Sequence, residues 1–180
     1  MELLHAPALH WVIALVLAGI FLPGAWSKLR AMDEVIGVVA DYRLLPDRLV
    51  EPFARALPWA EIATGVSVLL PPSRPAGAAL ALALLCLFAL AMAINLARGR
   101  REIDCGCFIG RQKERIAWSL VLRNLLLAAG AGLLFFEPES VVPRLQDLVP
   151  IVFGSIALLS LYAAFSRLAG LGPPRTAAGR

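Results

Sequence analysis

A chain of 180 residues that is 59% hydrophobic, with a mean hydropathy of +0.76, exceeds the roughly 45 to 50% apolar content of soluble domains. Its formal charge of +4 comes from basic residues that flank long apolar blocks instead of forming one face, so anionic lipid is the expected partner and nucleic acid is not. Three cysteines are too few for a secreted disulfide scaffold, and it is their placement that carries information.

The expectation is an all-α integral membrane bundle of about five transmembrane helices plus one interfacial amphipathic helix. It forms a single domain over 1–169 with a disordered Gly/Pro-rich tail over 170–180. The first apolar block, Leu9 to Trp26, is long enough to cross at about 1.5 Å per residue. A secretory signal fits poorly, because Met1 to Ala8 has Glu2 and no Lys or Arg, and Pro23-Gly24-Ala25-Trp26 is a weak cleavage site. From Ser27 to Pro52 charged residues alternate with Leu29, Met32, Val35, Ile36, Val39 and Leu44 at steps of three or four. This predicts one interfacial helix of about four turns, ended by Pro46.

The second span is Phe53 to Leu70, interrupted by Pro58 and Glu61. A proline-rich turn joins it to the third, Ala76 to Ala97, as a tight helical hairpin. A cysteine loop over Arg98 to Arg115 leads into the fourth span, Ile116 to Phe136, and the fifth is Leu148 to Phe165. Five crossings put the interfacial helix, the cysteine loop and the tail on one face. That face carries fourteen of the Lys and Arg residues, against Arg74 and Arg144 on the other. The positive-inside rule makes the cysteine face cytoplasmic.

Cys105 and Cys107, separated by Gly106, are the candidate reactive pair. A thiolate is a nucleophile and a second thiol nearby can resolve a mixed disulfide, while the glycine can take the backbone angles that bring i and i+2 into disulfide range. Arg100, Arg101 and Arg111 and the positive end of the fourth helix favour the thiolate, and Asp104 opposes it. Cys107, nearer that helix, would feel more of its dipole. The alternative is half a metal site completed by a second chain or by His5 and His10; both histidines precede the first span on the opposite face and cannot reach it, and a redox pair is the preferred reading, with no metal expected. Cys86, mid-helix in the third span, reads as a small buried hydrophobe.

Glu61 and Arg123 are the intramembrane ions, each about 10 to 12 Å deep by helix rise, and are expected to pair with one another, with Lys28 as the runner-up partner for Glu61. Such a pair is either a lock between helices or a polar anchor for a proton relay or a quinone head group. Asn95 is a candidate to hydrogen-bond across helices, Asn124 is a supporting polar residue of the fourth span, and Trp26, Trp59 and Trp118 form an aromatic belt at the cysteine end.

Six stretches, taken in order, resemble the MauE family, methylamine-utilisation membrane proteins grouped with DoxX-like redox-associated proteins. They are Gly24-Ala25-Trp26-Ser27-Lys28-Leu29, Asp41-Tyr42-Arg43-Leu44-Leu45-Pro46, Leu57-Pro58-Trp59-Ala60-Glu61, Asn95-Leu96-Ala97-Arg98-Gly99, Asp104-Cys105-Gly106-Cys107-Phe108 and Trp118-Ser119-Leu120-Val121-Leu122-Arg123-Asn124. Together they cover Gly24 to Asn124, over half the chain. One departure is Ile109, which intervenes between Phe108 and Gly110 where the family runs C-G-C-F-G.

The resemblance implies a multi-pass inner-membrane protein that works with a thioredoxin-like partner in maturing a disulfide-rich client such as a methylamine dehydrogenase subunit. The layout also resembles vitamin K epoxide reductase and disulfide-forming membrane proteins, an analogy of fold that brings a quinone as the one cofactor to consider. Those enzymes keep their cysteines on the outer face, opposite to what the charge bias expects. The competing class is a non-enzymatic assembly or scaffolding factor whose thiols are not redox-active. A transporter would need more polarity along a path than Glu61, Arg123, Asn124, Thr64 and Ser67 supply.

Overall fold

The structure, a computed structural model, describes residues 7–106, 115–136 and 143–170, with side chains as far as Ser166. Six α-helices follow one another: α1 (Pro7–Arg30), α2 (Met32–Tyr42), α3 (Asp47–Leu69), α4 (Arg74–Ala97), α5 (Trp118–Leu133) and α6 (Leu148–Gly170). Among the described residues there is no strand, only an isolated bridge between Asp104 and Arg115. This is the expected helical membrane bundle.

The distribution of polarity is inverted relative to a protein folded in water. Lys28, Glu61, Asn95, Arg123 and Asn124 are buried, while Leu126, Phe153 and Leu161 are each about two-thirds exposed. Apolar side chains turned outward over this much surface need a solvent that is itself apolar. Three helices are long and apolar enough to cross a bilayer by length and composition, over Pro7–Arg30, Pro71–Ala97 and Leu145–Ser166. The 16-residue α5 is apolar but shorter, and α3 carries more charge. Trp26, Trp59 and Trp118 are all exposed, as a belt at the bilayer edge requires.

The helices alternate in direction. At one end His10 of α1 bonds to the carbonyl of Phe136 just past α5, and the Arg74 guanidinium of α4 lies 4.4 Å from the Trp11 ring. At the other end Arg123, in the second turn of α5, donates to Ser166 Oγ of α6 at 2.6 Å. α1 packs along α3 and α6, and α4 packs along α3 and α5. Small residues make this close: Ala14, Ala18, Ala78, Ala81, Ala128 and Ala131 interleave with Leu17, Phe21, Val68 and Leu85 in the central core.

The hairpin between α3 and α4 is as tight as expected. Its turn is a single 3-10 turn, Pro71–Ser73, in which Ser73 Oγ donates to the carbonyl of Ser67 and Arg74 Nε to that of Val68, capping the end of α3. Directly behind it a Cβ on Gly77 would lie 2.6 Å from the Val68 backbone nitrogen, so only glycine lets the two backbones meet there.

Four expectations are corrected. The amphipathic stretch is not one helix: α1 runs on to Arg30, α2 takes Met32–Tyr42 and ends on Arg43 in the left-handed conformation, and residues from Asp47 belong to α3, which Pro46 opens. Pro58 and Glu61 do not interrupt α3, which is continuous from Asp47 to Leu69. Neighbouring helices supply what a proline takes from a membrane helix. Cys86 is exposed on the outer face of α4, not buried. And Glu61 does not meet Arg123, because α3 and α5 are not packing neighbours, with α1 and α4 each touching both.

The partner of Glu61 is Lys28. Its ammonium donates to both carboxylate oxygens, at 2.8 and 2.9 Å, with each side chain at most 4% exposed. The pair ties the last turn of α1 to the middle of α3. Removing one member leaves an uncompensated charge in a dry site, whereas removing both does not. Glu61→Leu is therefore expected to destabilise the protein by about 3 to 5 kcal/mol, and a second change, Lys28→Met, to recover most of the loss, as measured by unfolding in detergent. Gly77→Leu, which forces α3 and α4 apart, should lower the unfolding temperature with no compensating second site.

Candidate functional site

The cysteine loop begins where α4 ends and is pinned at its neck. The Ile116 amide donates to the Ile103 carbonyl at 2.9 Å, beside the Asp104–Arg115 bridge and an exposed Arg115–Glu102 ion pair. Ile103 and Ile116 are buried with Met92, Leu96, Leu120 and Val121 of α4 and α5, so apolar burial holds the neck over the helix ends. Cys105 follows immediately. Cys107, the other half of the sequence-expected pair, lies outside the described residues.

Cys105 is half-buried and disulfide-bonded. Its Sγ lies 3.9 Å from Met92 Sδ and 3.9 Å from Nη2 of Arg123, whose guanidinium points a donor at the sulfur. Arg123 is itself held from α6, by the bond to Ser166 and by the Tyr162 ring, 4.8 Å from its Cζ. The expected position of Arg123, about 10 to 12 Å deep by helix rise, is thus corrected: its guanidinium reaches the sulfur of Cys105. α5 begins at Trp118, two residues later than expected. The cation beside the sulfur is a side chain, and it touches Cys105.

α2 lies across the loop. Gly106 has φ +72°, a left-handed conformation that suits glycine, and a Cβ there would stand 2.9 Å from Val38 Cγ1 of α2. Its amide donates to Asp104 Oδ1, and the Tyr42 hydroxyl donates to the Cys105 carbonyl at 3.4 Å. Burial, with the negative charge of Asp104 reinforcing it, pushes the Tyr42 phenol well above its usual range, so it remains a donor wherever the protein is folded.

The end of α2 is fastened to α4 by Asn95 and Arg100. Asn95 donates to the Tyr42 carbonyl and accepts from Arg100 at 2.8 Å, and Arg100 donates to the Asp41 carbonyl at 2.8 Å. A guanidinium on the last carbonyls of a helix satisfies acceptors that lack a partner within the helix and complements its negative end. Arg100 therefore serves α2 rather than the cysteines. Asn124 is buried but bonds back to the Leu120 carbonyl of its own helix, and takes no part in the site. Lys28 and Glu61 sit beneath α2.

Of the residues singled out in the sequence, Cys105, Asn95 and Arg123 come together, Lys28 and Glu61 pair nearby, and Asn124 stands apart. Tyr42, Met92, Tyr162 and Ser166 were missed as site residues, and Arg100, expected beside the thiols, bonds to α2 instead. Tyr42 lay in a motif shared with the resembled family, but Tyr162 and Ser166 stand in an apolar helix forty residues beyond Arg123, with no local pattern to mark them. Among the described residues no three of His, Cys, Asp and Glu gather to hold a metal ion. His10 is at the far end of α1.

The family model for methylamine utilisation protein MauE matches residues 6–137. Similar relatives include the methylamine utilization proteins MauE of Paracoccus denitrificans, 39% identical over 98% of this chain and 95% of its own, and of Paracoccus versutus, 40% identical over 94% and 92%. That of Methylophilus methylotrophus is 48% identical over 64% of this chain and 60% of its own. No solved structure matches. With a family model spanning well over half the chain and relatives near 40% identity along almost all of it, this protein belongs to the MauE family.

Proposed function

We propose that this protein serves methylamine utilisation as a multi-pass inner-membrane thiol–disulfide exchange protein. In this reading it crosses the bilayer five times, through α1, α3, α4, α5 and α6. Cys105 and Cys107 are its redox pair, a thioredoxin-like protein is its exchange partner, and the client is a protein that matures by disulfide formation. The observation that carries the reading is the Arg123 guanidinium 3.9 Å from the sulfur of a disulfide-bonded cysteine. A buried cation aimed at a sulfur favours the thiolate that appears when the disulfide opens, and such a sulfur is the better leaving group.

The exchange then has a direction. A thiolate of the partner attacks Cys107, forming a partner–Cys107 bond as the S–S bond to Cys105 breaks, and the electron pair leaves on Cys105 as a thiolate beside Arg123. A second partner thiol attacks the mixed disulfide. The partner departs oxidised, and Cys107 leaves as a thiol once it takes up a proton. α2 holds Cys105 in place through these steps by the Tyr42 hydroxyl on its carbonyl, with Val38 standing where any side chain on Gly106 would have to go.

The compartment is set by opposing considerations. The helix ends bearing the cysteine loop also bear most of the basic residues, which favours the cytoplasm. Yet several of these arginines are paired within the chain: Arg100 with the end of α2 and, at the surface, Arg115 with Glu102 and Arg55 with Glu51. Disulfide formation for a client favours the oxidising side. Labelling the reduced pair in intact cells with a membrane-impermeant thiol reagent reports the side directly.

The decisive experiment replaces Cys105 and Cys107 together by alanine. Client maturation is expected to be abolished while the protein remains in the membrane, and maturation that persists would leave only the scaffolding role. Arg123→Gln should slow alkylation of reduced Cys105 at neutral pH by about tenfold or more, as expected for removing an opposite charge within 4 to 6 Å. Because loss of the cation disfavours the anion, the rate should recover as pH is raised, and Arg123→Lys should keep part of the effect.

A further inference from the structure

α2 does not sit flush on the bundle. Beneath it lies a cavity of about 160 Å3, walled by Val35 and Val39 of α2, Leu57 of α3 and Phe88 and Ala91 of α4, with Cys105 and Gly106 of the loop closing one side. Its surface is almost wholly apolar. The two polar groups at its border are already committed, the Lys28 ammonium to Glu61 and the Tyr42 hydroxyl to the Cys105 carbonyl. α2 is held by Val35 against Ala54 and by polar bonds at its far end, while Val35, Val38 and Val39 line this space.

The walls decide what can fill it. Water needs two to four polar partners, and with Lys28 and Tyr42 engaged the cavity offers none. A polar ligand would lose its own hydration without replacement. Left empty, the cavity would forfeit the contacts of every side chain around it. Its mouth lies at Leu44 and Leu87, both exposed on the outer surface of the bundle, and Leu80 and Leu90 are exposed on α4 to either side of Leu87. Leu87 stands ten residues before the end of the span at Ala97, about 15 Å by helix rise, which sets this opening within hydrocarbon. The cavity is thus continuous with the surface that the protein turns toward lipid.

We propose that one acyl chain of a membrane phospholipid occupies this cavity as a fixed part of the folded protein, and seats α2 over Cys105. An apolar cavity of about 150 Å3 accepts a six-carbon ring, so this one takes a stretch of chain of about six carbons. The chain reaches the cavity directly from the bilayer, and it supplies to the underside of α2 the apolar contacts that the protein's own side chains leave unfilled. It also covers the membrane side of Cys105, which leaves the cysteine approachable from the loop side. The inference is independent of the exchange reading above, since it concerns only what holds α2 down.

The full-length protein is placed in nanodiscs of phosphatidylcholine carrying a diazirine midway along one acyl chain, irradiated, and mapped for adducts by mass spectrometry. Adducts are expected on Val39, Phe88 or Ala91 in the cavity, and on Leu125 and Leu126, which are exposed on the outer face of α5. Ala91→Phe and Val39→Phe fill the cavity from opposite walls. Each should lower the cavity adducts about tenfold or more and leave those on Leu125 and Leu126 unchanged. Protein released from the nanodiscs should retain one phospholipid per chain in native mass spectrometry, and both fillings should lose it. Each variant is first checked for an unchanged melting profile, and one that fails to fold is replaced by Ala91→Leu, for which a partial loss is expected.

Cavity adducts that survive both fillings overturn the proposal, as does a wild-type protein labelled on Leu125 and Leu126 but not in the cavity. A photo-reactive amino acid in place of Leu44 should capture phospholipid. If it captures a second copy of this chain instead, the occupant is protein and the proposal fails.

Discussion

The Lys28–Glu61 pair sets the terms for everything at the cysteine end. Two opposite charges removed from water have almost no choice of partner, and in a bilayer an unpaired one is costly enough to move a helix. Here the ammonium on the last turn of α1 meets the carboxylate midway along α3, which fixes how far one helix slides past the other. That offset leaves the first half of α3 extending beyond α1. Val35 of α2 can then pack against Ala54 in the space so created, and α2 is delivered over the cysteine loop.

From there the site is a matter of two clamps. Asn95 and Arg100 hold the end of α2 to α4, and Arg123, braced by Ser166 and Tyr162, holds the sulfur from the side of α6. Neither clamp would be possible in a loop free to sample its own conformations, and the loop is not free: the Ile103–Ile116 bond and the burial of both isoleucines close its neck. Cys105 therefore belongs at once to a membrane-level apolar space and to a cationic surface.

Much of this was legible in the sequence, and the reasons differ from place to place. The apolar blocks of α1, α4 and α6 declared themselves because composition alone decides whether a segment suits hydrocarbon. The hairpin was readable because Pro71-Pro72 cannot continue a helix. Gly106 was readable because two cysteines so close need a residue free of a Cβ between them. The partner of Arg123 was not, because helix rise gives depth but not the angular position of a helix in the bundle. Two ions at equal depth on α3 and α5 looked like neighbours until α1 and α4 were found between them. Tyr162 and Ser166 were invisible for the same reason, since their role depends on α6 lying beside the start of α5. The division between α1 and α2 was hidden because no proline or glycine stands at Ala31 to mark the turn there.

The close turn between α3 and α4 also bears on how the protein enters its membrane. With five charged residues from Asp47 to Glu61, α3 falls outside the helices apolar enough to cross unaided, whereas the stretch containing α4 has a mean hydropathy of 2.6. Joined by three residues and touching backbone to backbone at Gly77, the two cannot be delivered to the bilayer as independent segments. The apolar helix carries the charged one with it, and Glu61 need never face lipid alone if Lys28 of the preceding helix is already waiting. The order of helices along the chain is then also an order of assembly, in which Glu61 arrives after its counterion.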